Sequence, residues 1–468
     1  MNQTHENHDT RSSLRASTAV MAPFMIAAAF AAIVALRAPP APAAPYLPRS
    51  GAEVVETLPR RADPQQQELR RMRLQLAATP NDVQLAAALA QRYIAIGRSE
   101  ADPRYFGYAQ AALAPWWHQA APPAAVRLLR ATLLQGTHRF AEAMADLDAV
   151  TAVEPANAQA WLTRATVQTV LGQYSAATAS CARLSALAGD LASITCLTNV
   201  SGLTGQLRKS ELLLATTLQR SAGADPAMQA WTLTQLAEMA TRRGDARLAE
   251  ARYLAALNVA PRDSYLLGAY ADFLLDRQRP DEAAGLLKEQ RRVDGLLLRH
   301  ALALKQGQAL QPSAARQAAL AEDVRELQAR FDAAALRGDS VHQREQARYE
   351  LHLRGNVKAA LALAQQNWAV QKEPADLRIL LEAARQANDR AAAAPALAWL
   401  AQSGLEDSGI QPLAAQLAML PAARNATQPA ARPTAPSVTQ SVTQAAGRPA
   451  AQSPVQRAAI TVAARSLP

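Results

Sequence analysis

The sequence predicts an all-α fold built as an array of helix pairs, and three observations predict it. First, 111 of the 468 residues are Ala and aromatic residues make up only 4%. Ala has the best helix propensity, whereas strands favour β-branched and aromatic side chains. Second, the length exceeds the roughly 250–300 residues at which a single core stops growing, so several domains or a repeat array is required. Third, from about residue 64 to 420, apolar and small residues recur at helical spacing in units separated by short turns. An all-β, collagen-like or wholly disordered chain is excluded.

The N-terminus comes first in the chain and carries an address. Residues 1–18 read as a cytoplasmic N-terminus. Ala19 to Leu36 is a run of 18 residues without a charge, preceded by Arg11 and Arg15 and closed by Arg37. A spanning helix needs about 20 apolar residues and a signal-peptide core about 7–15, so 19–36 reads as a transmembrane anchor. Basic residues before the run place the following body across the membrane. The expectation is a single-pass inner-membrane protein with its body in the periplasm. Ala41-Pro42-Ala43 supplies a cleavage alternative, in which the body is soluble in the periplasm. Residues 37–63 are rich in proline and predict an extended spacer.

The clearest repeat is 230–263. Leu233, Leu236, Ala237 and Ala240 mark one face of a first helix, Gly244-Asp245 the turn, Ala249, Tyr253 and Ala256 a second helix, and Pro261 its end. Residues 158–191 repeat the pattern through Trp161, Ala165, Gly172-Gln173-Tyr174, Ala177 and Leu184. Residues 124–157 do so through Ala131, Phe140, Ala143, Leu147 and Pro155, with a turn, GTHRF, read as longer. Residues 264–297 keep Tyr270, Ala271, Leu274, Ala283 and Leu287. This unit resembles the tetratricopeptide repeat, a 34-residue helix–turn–helix with small residues at its eighth and twentieth places and proline at its thirty-second. Ala237, Ala249 and Pro261 stand at those places. The resemblance implies a right-handed superhelical solenoid of antiparallel helix pairs, from a bacterial protein with an N-terminal anchor or signal sequence.

Weaker copies fall at 83–117, 192–225 (with a short first helix), 341–374 and 375–408. Residues 293–340 depart from the pattern, and Ser313–Leu336 reads as one long amphipathic helix ending at Gly338. Residues 421–468 carry five Arg and no acid, half of the formal net charge of +10. With little to bury, this tail is expected to be disordered. The body is then too weakly basic for a nucleic-acid surface.

Cys181 falls on the second helix of one unit and Cys196 on the first helix of the next. Each lies seven to eight residues from the turn near Ala188-Gly189, level with the other, which predicts a disulfide. The seven His residues form no metal-binding motif. His342 and His352 are ten residues apart on one expected helix, about 15 Å and too far for one metal. Phosphate-cradling loops and hydrolase nucleophile elbows are absent from the sequence. No catalytic, metal or cofactor site is therefore assigned and no cofactor is expected.

The family's geometry points the second, fifth, ninth and twelfth places of each unit into a groove. The resemblance thus implies a lining of Gln159, Leu162, Thr166 and Thr169, then Trp231, Thr234, Glu238 and Thr241, then Tyr265, Gly268, Asp272 and Leu275. The expected function is a non-enzymatic interaction scaffold of the bacterial envelope, binding a peptide or protein in that groove, with the N-terminal helix in the membrane and no nucleic-acid partner. The alternatives are a periplasmic chaperone or adaptor for exported clients, and an enzyme using Glu322, Asp323 and Glu326.

Overall fold

A computed structural model describes Ser50 and residues 63–100, 102–339 and 341–420. The chain forms two compact units, 1–70 and 71–468. In the first, the described residues are Ser50 and those that begin the helix Pro64–Ala78. All side chains named below belong to the second.

Among the described residues every regular element is helical. The helices follow one another as antiparallel pairs, first helix then second. The pairs with the clearest repeat pattern are Ala124–Gly136 with Phe140–Val153, Ala158–Val170 with Tyr174–Leu184, Pro226–Arg243 with Ala246–Val259, and Ser264–Asp276 with Pro280–Leu287. Each pair also meets the next, as a solenoid requires. The small residues at the eighth and twentieth places sit where paired helices touch. Ala131 and Ala143, Ala165 and Ala177, Ala237 and Ala249, and Ala271 and Ala283 are all 0–1% exposed.

The joints between pairs follow from local chemistry. Pro155 and Pro261 come just after second helices, and two residues later Asn157 and Asp263 cap the following first helix. Their side chains accept from the backbone N–H groups of Ala160 and Leu266. Proline cannot continue a helix and Asn or Asp satisfies an orphan donor at its start, so the Pro-x-Asn/Asp triplet ends one unit and begins the next.

The turn inside each of these four pairs is one motif, used again between Pro374–Gln386 and Arg390–Ser403. One residue takes left-handed φ and the next donates its N–H to a carbonyl five residues back, as in a Schellman cap. Gly172 and Gly244 do this, with Gln173 N bonded to Gln168 O and Asp245 N to Ala240 O. His138, Gln278 and Asn388 hold the same position without being glycine. The GTHRF turn is therefore not longer, contrary to the sequence reading. Gly136 to Phe140 matches Val170 to Tyr174, and His138 stands where the next pair has Gly172. A side chain in this region costs about 1 kcal/mol or more relative to glycine. Gln278 is exposed, so Gln278→Gly is expected to raise stability by about 1 kcal/mol, measured as a higher Tm; an unchanged or lower Tm would contradict the strain.

One further expectation needs correction. The first helix of the weak unit at 192–225 is not short: Asp190–Gly202 has 13 residues, as does Ala158–Val170. Polar residues along it hide the pattern, since Ser193, Thr195 and Thr198 are buried with their hydroxyls bonded to carbonyls of the same helix. The departure expected at 293–340 is one of length, and the one long helix expected over Ser313–Leu336 is present. Asp294–Leu310 and Ala314–Leu336, the latter capped by Ser313, form another pair within the stack, with a longer second helix.

The single-pass inner-membrane placement with a periplasmic body is also corrected. Among the described residues no helix is long and apolar enough to cross a membrane. The longest, Ala314–Leu336, carries Arg316, Glu322, Asp323, Arg325, Glu326, Arg330 and Asp332, and charges at such density are costly in hydrocarbon. The expected anchor at 19–36, the spacer up to residue 62 apart from Ser50, and the tail 421–468 lie outside the described residues.

Candidate functional site

The candidate site is the inner face of the first helices, which the C-terminal part of the chain partly covers. The tie begins at the turns. Lys372 donates its N–H to Val170 O, and Ser408 donates to Arg242 O. The Leu207 N–H is accepted by Glu406 Oε1. Residues 372 and 404–408 thus lie along the turns of three earlier pairs, more than 160 residues back in the chain.

Behind these backbone ties lies a network of ion pairs. Asp272 accepts from Arg299 at 2.7 Å and from Arg348 at 2.7 Å, and Asp276 accepts both amino groups of Arg378 at 2.6 and 2.7 Å. Arg378 also donates to Glu382, which His352 meets at 2.9 Å. Burial opposes the charge on Asp272, but the Arg299 and Arg348 guanidiniums outweigh it and hold its carboxyl well below the usual range. In Glu382 the same contest, won by the His352 hydrogen bond and Arg378, leaves the carboxyl at about 2. The Asp272 and Glu382 carboxylates are therefore charged at neutral pH and hold their guanidinium partners.

Asp376 anchors the covering segment. It is fully buried and accepts from Asn367 Nδ2, Gln371 Nε2 and Arg344 Nη1, while its second oxygen accepts from the Glu373 N–H. Glu373 and Asp376 together form a capping box at the start of Pro374–Gln386.

The residues expected to line the groove divide into three sets. Thr169 and Thr234 are buried, each hydroxyl bonded to a carbonyl four residues back, and Thr166 and Thr241 spend their hydroxyls similarly. Leu162 packs against the cluster around Cys181 and Cys196, Leu275 against that around Tyr270, and Gly268 is covered by the Arg299 side chain. Asp272 is engaged as described. Gln159, Trp231, Glu238 and Tyr265 keep accessible surface.

Tyr265 and Glu238 stand apart from the network. Tyr265 is 60% exposed, and its hydroxyl donates to Glu238 Oε1 at 2.6 Å. Although water reaches the ring, the protein around the Glu238 carboxylate takes away part of its hydration. Desolvation raises the Glu238 pKa to about 7, against the opposing Tyr265 hydrogen bond and Arg242. The Glu238 charge in turn, with burial second, pushes the Tyr265 phenol well above its ordinary value. Arg242 makes no ion pair with Glu238 by contact, and its Nη1 donates to Gly202 O.

Elsewhere the sulfurs of Cys181 and Cys196 are joined, with Cα atoms 5.5 Å apart. They lie in a buried cluster with Ala165, Ala177, Leu184 and Val200. His300 is buried and meets Asp323 at 2.6 Å. A cavity of about 490 Å³ beside this pair is lined by Arg291, Glu322, Asp323, Glu326 and Arg330 among others. Asp323 is further bound by Arg291, and Glu326 by Arg330. Two of the three carboxylates considered for chemistry are therefore structural. Among the described residues no cluster of His, Cys, Asp and Glu has the geometry to hold a metal ion.

The sequence reading missed Arg344, Arg348, Arg378, Glu373 and Asp376. Periodicity within a helix says nothing about which distant element covers its inner face. One local signal was present, the acidic pair Glu373 and Asp376 around Pro374, which marks a capped helix start.

No protein-family model matches the chain, and no curated protein matches it. Among solved structures, it is similar to Cut9 or Hcn1 in the APC/C hetero-tetramer Cut9-Hcn1, with 14% identity and a TM-score of 0.36 over 55% of this chain. The chain spans about half, 52%, of the length of that structure. It is similar to the human IFIT1 dimer with m7Gppp-AAAA at 12% identity and TM-score 0.36, covering 76% of this chain and 86% of that one. A tetratricopeptide repeat protein from Parabacteroides merdae shares 12% identity at TM-score 0.32, over 63% of this chain and 98% of its own.

Proposed function

We propose that this chain is a non-enzymatic protein–protein interaction scaffold that holds an extended segment of a partner protein along the inner face near Trp231, Glu238 and Tyr265. The observation that carries the reading is Tyr265, a large aromatic side chain 60% exposed beside the Glu238 carboxylate. Aromatic side chains bury much area at little entropic cost and dominate interface energetics. The neighbouring ionisable groups, Asp272, Asp276, Arg348, Arg378 and Glu382, hold one another as structural ties. That use favours binding over acid–base chemistry. The chain's own C-terminal helices take the stretch around Asp272 and Asp276, so the partner's share is the stretch from Trp231 to Tyr265.

A photo-crosslinking residue placed at Tyr265 is expected to capture one stoichiometric partner in the native cell. The control position is Leu212, 71% exposed on the second helix Leu207–Arg220. Capture from position 212 alone, or equally from both, would reject the inner face as the binding site.

A further inference from the structure

We infer that the segment held at this face presents a basic side chain, lysine or arginine, seated against the Glu238 carboxylate and beside the Tyr265 ring; this rests on the scaffold reading above. The carboxylates on this face differ in their partners. Asp272, Asp276, Glu345, Glu373 and Glu382 each have a guanidinium within 3.2 Å. Glu238 has a phenol. One of its oxygens accepts from Tyr265, and no cation of the described chain lies within ion-pair distance.

The surroundings do not supply the missing charge. On its own helix, Arg242 is one turn away with a guanidinium bonded to Gly202 O, so it opposes the desolvation through its field and not by contact. From the next first helix comes Tyr265, from the second helix of the same pair Tyr253, and from the covering segment Glu373, whose charge adds to the negative field. Desolvating a carboxylate without a counter-ion is costly. A ligand cation removes that cost, while a ligand carboxylate would add to it.

The aromatic residues suit the same ligand. The accessible Tyr265 ring stands beside the carboxylate, and Trp231 lies seven residues before Glu238, two turns earlier on the same helical face. Aromatic faces attract ammonium and guanidinium groups, and the aliphatic stem of lysine or arginine packs on them. The occupant is thus complementary in charge and in shape.

The test uses the full chain, wild type and Glu238→Gln, on an array of immobilised random-sequence peptides at about pH 8 and about pH 6. Wild type is expected to prefer Lys or Arg over Gln at one peptide position by about tenfold, the equivalent of about 1.4 kcal/mol. Glu238→Gln is expected to lose that preference while keeping the others. The wild-type preference should weaken from pH 8 to pH 6, because a carboxyl titrating near 7 takes up a proton in that interval. A bound set without a basic position, one favouring acids, or a basic preference that survives in Glu238→Gln would each overturn the inference and leave the scaffold reading standing. Absence of any peptide binding would reject the scaffold reading, and this inference with it. Circular dichroism of the variant, expected to match wild type, separates loss of preference from loss of fold.

Discussion

Asp376→Ala is expected to destabilise the C-terminal helix pairs by about 3–5 kcal/mol, the range for removing one member of a buried ion pair. Asp376 is 0% exposed and is bonded to Asn367, Gln371, Arg344 and the Glu373 backbone. Removing the carboxylate leaves the Asn367 amide as a buried donor without its acceptor, leaves the Gln371 amide with Asn367 Oδ1 alone, and takes one carboxylate from Arg344. Asp276→Ala is the control. Its ion pair with Arg378 is 40% and 42% exposed at the two side chains, so solvent screening limits the loss to about 1 kcal/mol or less. Hydrogen exchange through 357–386, compared with 124–153, measures both variants locally, which suits a stack whose pairs need not unfold together. A loss for Asp376→Ala no larger than for Asp276→Ala would show that the buried network does not hold this segment. The same variant is expected to loosen the tie from the Lys372 N–H to Val170 O, exposing more of the inner face.

Removing the cross-link between Cys181 and Cys196 is expected to cost about 3 kcal/mol, the chain-entropy value for a closed loop of about this length. The bond joins the second helix of one pair to the first helix of the next, so the loss should concentrate at that junction. The Cys181→Ala/Cys196→Ala double variant avoids leaving a hydroxyl in the apolar cluster around Ala165 and Val200. Denaturant midpoints of the oxidised wild type, the reduced wild type and the double variant provide the comparison. Peptide mapping without reductant should recover the two cysteines as one linked species. Coincident midpoints for oxidised and reduced protein would remove the disulfide from the list of stabilising features.

What was legible in the sequence was local. Small residues at fixed places, such as Ala237 and Ala249, mark where two helices must touch, because a larger side chain there would force the backbones apart. Pro261 and Asp263 mark a joint, since one ends a helix and the other satisfies the donors of the next. Cys181 and Cys196 were readable for the same reason: their distance from one turn sets their height on two adjacent helices. The reading failed where a residue of unexpected type does a familiar job. His138 in the left-handed turn position hid a standard turn, and Thr195, with its hydroxyl bonded to Leu191 O, hid a full-length helix.

The sequence by itself determined the helix pairs, their order and the small-residue contacts between them, because each depends on neighbours a few turns away in the chain. Only the tertiary structure decided which inner-face residues remain available. Asp272 and Glu238 occupy the same place in consecutive units and are indistinguishable by pattern. The fold brings Arg299 and Arg348 onto Asp272, while Glu238 receives the hydroxyl of Tyr265. The physical reason is that the energy of a carboxylate depends on whichever charges and dipoles lie within a few ångströms. At this face some of them come from residues 76 to 135 positions further along the chain, which no periodicity records.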